Sequence, residues 1–348
     1  MDTQRVVIGL SGGVDSAVAA WLLREAGLEV HGAVLHLWQA QPALTSEDSI
    51  TSAQEVAAAL GISCRVLDLR ARFHAEVVAP FVAAYAEGRT PNPCVVCNPG
   101  LKFAALREHA DQLGAAWIAT GHYARVEHPP GGPSRLLRAL TRHNDQSYAL
   151  YRLPQEILTR ARFPLGELPD KALVRALAYE HGIPSAARSD SQDLCFMAGG
   201  DYRELLPPDA LAPGPILDEA GEVLGEHQGL ARYTVGQRGG LRIAAPHRLY
   251  VLRLDPERNA LIVGPAERLL RTTCRLEAVT FCADAPPAPT FTADARIRYH
   301  APLTPAEVTL TDATHATVAF AEPQRGIAPG QSVVFYAGEE VLGGGMIT

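Results

Sequence analysis

The sequence predicts an α/β protein, with an N-terminal doubly wound parallel-sheet domain of the nucleotide-binding type followed by two small mainly-β domains, the last a β-barrel. Three observations predict it. Up to about residue 125, apolar runs of strand length alternate with stretches of helix length. The first such run passes directly through a glycine-rich turn into a helix. Beyond the prolines at Pro207, Pro208, Pro213 and Pro215 helical patterns nearly vanish, and short strands broken by Gly and Asp recur to the end, from about 271 at the regular spacing of a small barrel or sandwich.

In order, Val6-Val7-Ile8-Gly9-Leu10 reads as a buried strand and 17–23 as the helix after it, closed by Gly27. Residues 30–37 are a strand, 47–60 a helix ending at Gly61, and 62–69 a strand. A helix over 101–113 ends at Gly114, and 115–120 is a further buried strand. Alternation of this kind gathers ligands at the C-terminal ends of the strands. Both the opening turn and Thr120-Gly121-His122-Tyr123 lie at such ends, and a glycine there would let a nucleotide approach. Residues 128–134 are a hairpin-like loop between short strands, and 170–181 a helix closed by Gly182. Domain boundaries are drawn at 1–205, 206–270 and 271–348.

The chemistry concentrates in three stretches. Ser11-Gly12-Gly13-Val14-Asp15-Ser16 puts two flexible glycines and two hydroxyls at a helix N-terminus, a setting that favours phosphate. It lacks the lysine of the G-x-x-x-x-G-K-[ST] loop, so it is a phosphate or pyrophosphate cradle of another kind. An ordinary strand-to-helix turn is the plainer alternative, and Asp15 fits either a metal or a helix cap. The second stretch, 90–98, is a proline-stiffened loop with Cys94 and Cys97 as a C-x-x-C. No second C-x-x-C completes a zinc site, which leaves redox, nucleophilic and iron–sulfur roles beside plain packing. The third, 189–196, presents the single Cys195 among polar residues.

Composition narrows the setting. The chain has 348 residues, 47% of them hydrophobic, and no apolar run long enough to span a bilayer, so no membrane association is expected. It runs straight into a strand without a signal peptide, and a cytoplasmic location is expected. Six cysteines are too sparse for a disulfide scaffold. The net charge of −7 weighs against nucleic acid, yet six arginines fall between Arg232 and Arg258 against two acids. Lys102 and Lys171 are the only lysines, so positive charge is almost entirely guanidinium, suited to bidentate phosphate contacts.

Taken together, GLSGGVDS at 9–16, PNPCVVCN at 91–98, LKF at 101–103, ATGHYAR at 119–125 and DQSYAL at 145–150 resemble one family. FPLG at 163–166, SDSQDLCF at 189–196, YTVGQRGGL at 233–241, RYH at 298–300, GQSVVFY at 330–336 and LGGG at 342–345 continue the match in family order. The chain is similar throughout to the bacterial tRNA-specific 2-thiouridylases. The opening motif alone marks only the wider group of ATP pyrophosphatases; the cysteine stretches and the GQR segment are more specific.

The resemblance implies an enzyme that uses ATP and Mg²⁺ to adenylate the C2 oxygen of wobble uridine 34 in the tRNAs for Glu, Gln and Lys, then replaces that oxygen with sulfur. It implies a PP-loop ATP-binding catalytic domain at 1–205, a tRNA-contacting central domain at 206–270 and the barrel at 271–348. By matching position, Gly9, Leu10, Ser11, Gly12, Gly13, Val14, Asp15, Ser16, Leu35 and Gly121 meet ATP. Cys97 is the nucleophile and Cys195 the persulfide carrier, and the two could close a disulfide after transfer. Asn92, Pro93 and Cys94 match the segment that meets the target base. His122, Asn144, Asp145, Gln146, Arg298, Tyr299 and Gln331 match tRNA contacts. Many relatives carry aspartate where this chain has Cys94, and Asn144 replaces a usual lysine. Cys94, Cys97 and Cys195 could therefore instead hold a [4Fe–4S] cluster, and both schemes stay open. Sulfur would come from a cysteine desulfurase, directly or through relay proteins. Cys64, Cys274 and Cys282 match nothing catalytic. The competing functions are another ATP-pyrophosphatase synthetase or thiolase acting on a different RNA position or a small molecule, and an RNA-binding or sulfur-carrying protein without turnover.

Overall fold

The computed structural model describes residues 4–38, 46–186 and 202–348. The chain opens with β1 (Arg5–Gly9), α1 (Val14–Glu25), β2 (Glu29–His36), α2 (Ser46–Leu60) and β3 (Ser63–Asp68). A helical stretch follows: α3 (Arg70–Phe73), a π-turn over His74–Val78 and α4 (Ala79–Ala86). Next come α5 (Cys94–Cys97), a second π-turn over Asn98–Lys102, α6 (Phe103–Leu113) and β4 (Trp117–Ala119). The hairpin β5 (Ala124–Glu127) and β6 (Arg135–Arg138) precedes α7 (Gln155–Leu158), β7 (Ala161–Arg162) and α8 (Lys171–Glu180).

The first sheet has the order β3-β2-β1-β4-β7, every pair parallel. Its central strand is β1, where Val6, Val7 and Ile8 are fully buried because helices cover both faces. α1 buries Ala17, Val18, Ala19 and Ala20 completely, and these small side chains let the helix lie close to the sheet and to α8. The predicted stops hold: Gly27, Gly61, Gly114 and Gly182 all adopt left-handed φ. The stretch 70–86, which the sequence reading passed over, is helical and buries Phe73, Val77, Val78 and Phe81. Its Pro80 is tolerated because it stands in the first turn of α4.

The middle unit is a four-stranded sheet of β8 (Gly214–Leu217), β9 (Val223–His227), β10 (Tyr250–Asp255) and β11 (Ala260–Gly264), ordered β10-β11-β8-β9. The last unit contains β12 (Leu270–Phe281), β13 (Thr290–Arg296), β14 (Thr304–Leu310), β15 (Ala316–Arg325), β16 (Ser332–Ala337) and β17 (Glu340–Ile347). These six antiparallel strands close as a barrel through the β12–β17 pairing. Inward and outward residues alternate along β14, with Thr304, Ala306 and Val308 buried between exposed Pro305 and Glu307.

One feature lies beyond the sequence reading. The β5–β6 hairpin leaves the N-terminal unit and joins the edge of the barrel at β17, through Leu137 and Glu340. Tyr148 Oη donates to the carbonyl of Ser332 at 2.8 Å, and Tyr151 Oη lies 3.2 Å from Ser332 Oγ. Thr90, ahead of the cysteine turn, donates its N–H to the Pro329 carbonyl at 2.8 Å and its hydroxyl to Thr234 Oγ1 at 3.2 Å. All three units thus meet around residue 90.

Candidate functional site

The chain leaves β1 into a turn that its own hydroxyls fasten. Ser16 Oγ accepts from the Ser11 N–H at 3.1 Å and lies 3.1 Å from both the Gly13 carbonyl and Ser11 Oγ. Ser52 of α2 donates to the Gly12 carbonyl at 3.0 Å. Gly12 has φ +76°, and a Cβ there would stand 2.7 Å from the Ser49 carbonyl oxygen, so only glycine fits. The N-cap of α1 is Gly13, and no side chain caps the helix. The first-turn N–H groups therefore face the turn, as an anion site requires. Leu10 and Val14 are buried in the core, so they meet any ligand through backbone alone.

Asp15 does not cap α1. Its Oδ1 accepts from Tyr123 Oη at 2.8 Å and its Oδ2 pairs with Lys171 Nζ at 3.1 Å. The carboxylate thus ties the first turn of α1 to the segment after β4 and to the start of α8. The sequence reading missed Tyr123 and Lys171 as partners. The rarity of lysine in this chain was the available signal for the second. Gly121 lies against the start of α1. Its Cβ would stand 2.7 Å from Ser16 N and 2.8 Å from the Asp15 carbonyl carbon. The close approach it permits is to the backbone of α1.

The cysteine stretch, read as a stiff loop, is a short helix. The Asn92 side chain accepts from the Cys94 N–H at 3.1 Å, and the Pro93 carbonyl accepts from the Cys97 N–H at 2.8 Å. Cys94 and Cys97 stand one turn apart at i, i+3, hence on one face, with Cys97 buried and Cys94 half-buried. A π-turn follows at once, and buried Asn98 anchors it by donating to the Ala149 carbonyl at 3.0 Å. Cys97 packs in a cluster with Phe73, Phe81 and Leu101, against which Leu35 at the end of β2 also packs. Phe103, at the start of α6, stacks on His122 with centroids 6.0 Å apart. His122 Nδ1 lies 2.7 Å from Thr120 Oγ1. Burial, and secondarily the charge of Lys102, push its pKa down to about 3, so the imidazole is neutral. The cradle, Leu35, Gly121, His122 and the cysteine turn therefore gather at the C-terminal ends of β1, β2 and β4. Cys195 lies outside the described residues.

The expected RNA contacts divide. Arg298 is exposed, its guanidinium 3.4 Å from the Arg325 carbonyl. Tyr299 is half-buried, edge-on to Tyr148 at 6.0 Å. Burial first, then the Asp145 carboxylate and the neighbouring Cys94, raise its pKa to about 12, so it keeps its proton. Gln331 spends its amide N–H on the Thr90 carbonyl at 2.8 Å. Half-buried Asn144 accepts from Thr141 Oγ1 at 3.3 Å. Gln146 brackets Tyr123, its side-chain oxygen accepting at 3.0 Å and its N–H donating at 2.8 Å.

Asp145 is turned inward. Its side chain has no exposed surface and holds Arg138 at 3.2 Å, Arg296 at 3.9 Å and the N–H groups of Ala139 and Ser147. It pins the loop from inside through three hydrogen bonds and the more distant Arg296 charge. Among the described residues no group of three His, Cys, Asp or Glu side chains could hold a metal ion. Cys94 and Cys97 supply two adjacent thiols. No helix among those residues is long and apolar enough to cross a membrane.

A parallel-sheet domain with a serine–glycine cradle beside a cysteine turn, joined to two β modules, defines a HUP-domain protein with C-terminal accessory barrels. Family models agree with this architecture. The model described as tRNA methyl transferase HUP domain matches residues 4–199, its PRC-barrel domain 206–265, and an aminomethyltransferase beta-barrel domain 271–347. The chain belongs to the tRNA-specific 2-thiouridylase family. It is 48% identical to the tRNA-specific 2-thiouridylase MnmA of Roseiflexus castenholzii over 367 residues, covering 99% of each chain. Its identity to the proteins of that name is 45% in Chloroflexus aggregans (98% of each) and 44% in Acidithiobacillus ferrooxidans (100% of this chain, 99% of the other). Among solved structures, a 4-thiouridine synthetase–RNA complex with bound ATP is similar at 19% identity and TM-score 0.39, over 57% of this chain and 46% of that one.

Proposed function

We propose that this protein is an ATP-dependent tRNA-uridine 2-sulfurtransferase, acting on wobble uridine 34 of the tRNAs for Glu, Gln and Lys. The observation that carries the reading is the full-length family match, with the cradle and the cysteine turn at one end of one sheet. The cradle at residues 11–16 takes the phosphates of ATP, with Mg²⁺ arriving on the nucleotide. The C2 oxygen of uridine attacks the α-phosphorus, pyrophosphate leaves, and C2 now carries AMP as a leaving group. The terminal sulfur of a persulfide on Cys195 attacks C2, and the C2–O bond breaks to release AMP. The Cys97 thiolate then attacks the Cys195 Sγ. The electron pair of the broken S–S bond stays on the sulfur bound to C2, giving 2-thiouridine and a Cys97–Cys195 disulfide. A thiol reductant reopens that disulfide, and a cysteine desulfurase, directly or through relay proteins, recharges Cys195. A neutral His122 and a protonated Tyr299 suit a pocket for an uncharged base. The work is placed in the cytoplasm, where tRNA and reducing thiols are found.

A second reading rests on the i, i+3 placement of Cys94 and Cys97. Together with Cys195 they would hold a [4Fe–4S] cluster, whose open iron would supply bound sulfide. Mass spectrometry of tRNA for wobble 2-thiouridine, after incubation with ATP, Mg²⁺ and a sulfur source, tests the function. Cys97→Ala and Cys195→Ala abolish product under either scheme. Full activity of anaerobically purified, iron-free protein removes the cluster. AMP release that needs no tRNA would sink the assignment in favour of a small-molecule synthetase.

A further inference from the structure

The GQR segment of the middle unit has no part in the chemistry above, yet its arginine occupies a distinctive place. Arg238 stands on an exposed turn, and its charge, after that of Arg325, helps lower the pKa of the Tyr250 hydroxyl at the start of β10. From the barrel, Arg325 at the end of β15 lays its guanidinium over the Tyr250 ring, 4.2 Å from the centroid. The GQR turn meets the barrel here, since a Cβ on Gly236 would be in ordinary contact with Gly326, 3.4 Å from its Cα. The Arg325 carbonyl in turn receives Arg298, and the next residue, Tyr299, borders Cys94. A line of side chains thus runs from the cysteine turn, across the barrel edge, to the middle unit.

Charge favours a polyanion on this side. Many exposed arginines are matched with acids, as Arg5 is with Glu29, Arg72 with Glu76, Arg135 with Glu340 and Arg268 with Glu219, whereas among the described residues the exposed Arg232, Arg242, Arg248 and Arg258 of the middle unit have no carboxylate within 4.0 Å. Arg238, Arg298 and Arg325 are all exposed, and among the described residues none has a carboxylate within 4.0 Å. In a chain of net charge −7, three adjacent unmatched guanidiniums raise the local potential where a polyanion would be received. Arginine over tyrosine also presents a flat face that stacks with a nucleobase, and guanidinium edges that fork onto phosphate.

We propose that Arg238, Tyr250 and Arg325 form an RNA-backbone track that continues from Arg298 and Tyr299 and carries the strand adjoining the target nucleotide across the seam between the barrel and the middle unit. It rests on the tRNA reading above and adds residues to it. The alternative role is mechanical, an arginine–tyrosine stack that holds two domains together.

The test measures binding of an unmodified tRNA-Glu transcript to the full chain across a salt series, for wild type, Arg238→Gln, Arg325→Gln and the double variant. Arg72→Gln, already matched to Glu76, is the charge control. Each track substitution should weaken binding about 3- to 10-fold and lower the slope of log K against log salt by about 0.7–0.9. The control, ATP affinity and melting temperature should stay at wild-type values. Unchanged affinity and slope in Arg238→Gln, with wild type binding normally, overturns the track and leaves the function standing. Wild type that fails to bind the transcript overturns the function itself. Should Arg325→Gln melt early because the stack is mechanical, Arg238→Gln, exposed and outside the stack, still decides.

Discussion

Replacing Gly121 by alanine is the sharpest probe of the site, because the geometry sets the size of the effect. The new Cβ would fall 2.7 Å from Ser16 N, 2.8 Å from the Asp15 carbonyl carbon and 2.9 Å from Ser16 Cα. Ordinary contact begins at 3.4 Å, so something must yield by 3.4 − 2.7 = 0.7 Å, and all three neighbours are backbone. The two backbones can separate only by moving the first turn of α1, which the Ser11, Gly13 and Ser16 hydrogen bonds and the Tyr123–Asp15 contact hold in place. Overpacking of this kind costs about 1–3 kcal/mol. The gain from a stiffer unfolded chain offsets only about 0.4–1 kcal/mol. For a domain of this size the net cost lowers the melting temperature by about 2–8 °C. Activity should suffer more, since displacing a positioned reactive group by close to 1 Å costs on the order of 100-fold. Differential scanning fluorimetry and single-turnover thiolation read the two effects. Melting within 1 °C of wild type together with a rate within twofold would refute the claim that Gly121 seats the cradle.

Three further outcomes follow from the same contacts. Lys171→Gln and Asp15→Asn each break a largely shielded charged pair, at about 1.5–3 kcal/mol in chemical denaturation, and the double variant should lose less than their sum; strict additivity would rule out the coupling. Asp145→Ala leaves Arg138 and Arg296 buried without their carboxylate and should cost about 3–5 kcal/mol. Weaker tRNA binding with unchanged stability would instead show that Asp145 serves RNA directly. His122, with its folded pKa lowered to about 3, leaves stability undiminished above its unfolded value near 6.5, and stability falls as acid drives the unfolded chain to take up a proton that the fold refuses. Replacing it with phenylalanine should flatten that acid limb between pH 6.5 and 3, and an unaltered limb would place the titration elsewhere.

Local patterns made much of the molecule legible. The buried run 6–10, the glycine stops at 27, 61, 114 and 182, and the polar alternation after residue 270 each announce an element through nearest-neighbour chemistry. The helical stretch at 70–86 was missed, because the π-turn at His74–Val78 and Pro80 blur the periodicity that marks a helix. The burial of Asp145 is hidden from the sequence for a similar reason. A carboxylate in a polar stretch reads as solvated, and nothing nearby in sequence reveals Arg296.

The sequence by itself determined the parallel-sheet domain, the serine–glycine cradle, the cysteine pair and the two β modules, because each follows from residues a few positions apart. Tertiary structure decided what those parts do to one another. It brought Lys171 from 156 residues away onto Asp15 and set Gly121 against the backbone of α1. It also attached the 124–138 hairpin to the barrel and laid Arg325 of the barrel over Tyr250 of the middle unit. Contacts between residues so far apart are selected by packing of the whole chain, and no local pattern of polarity records them.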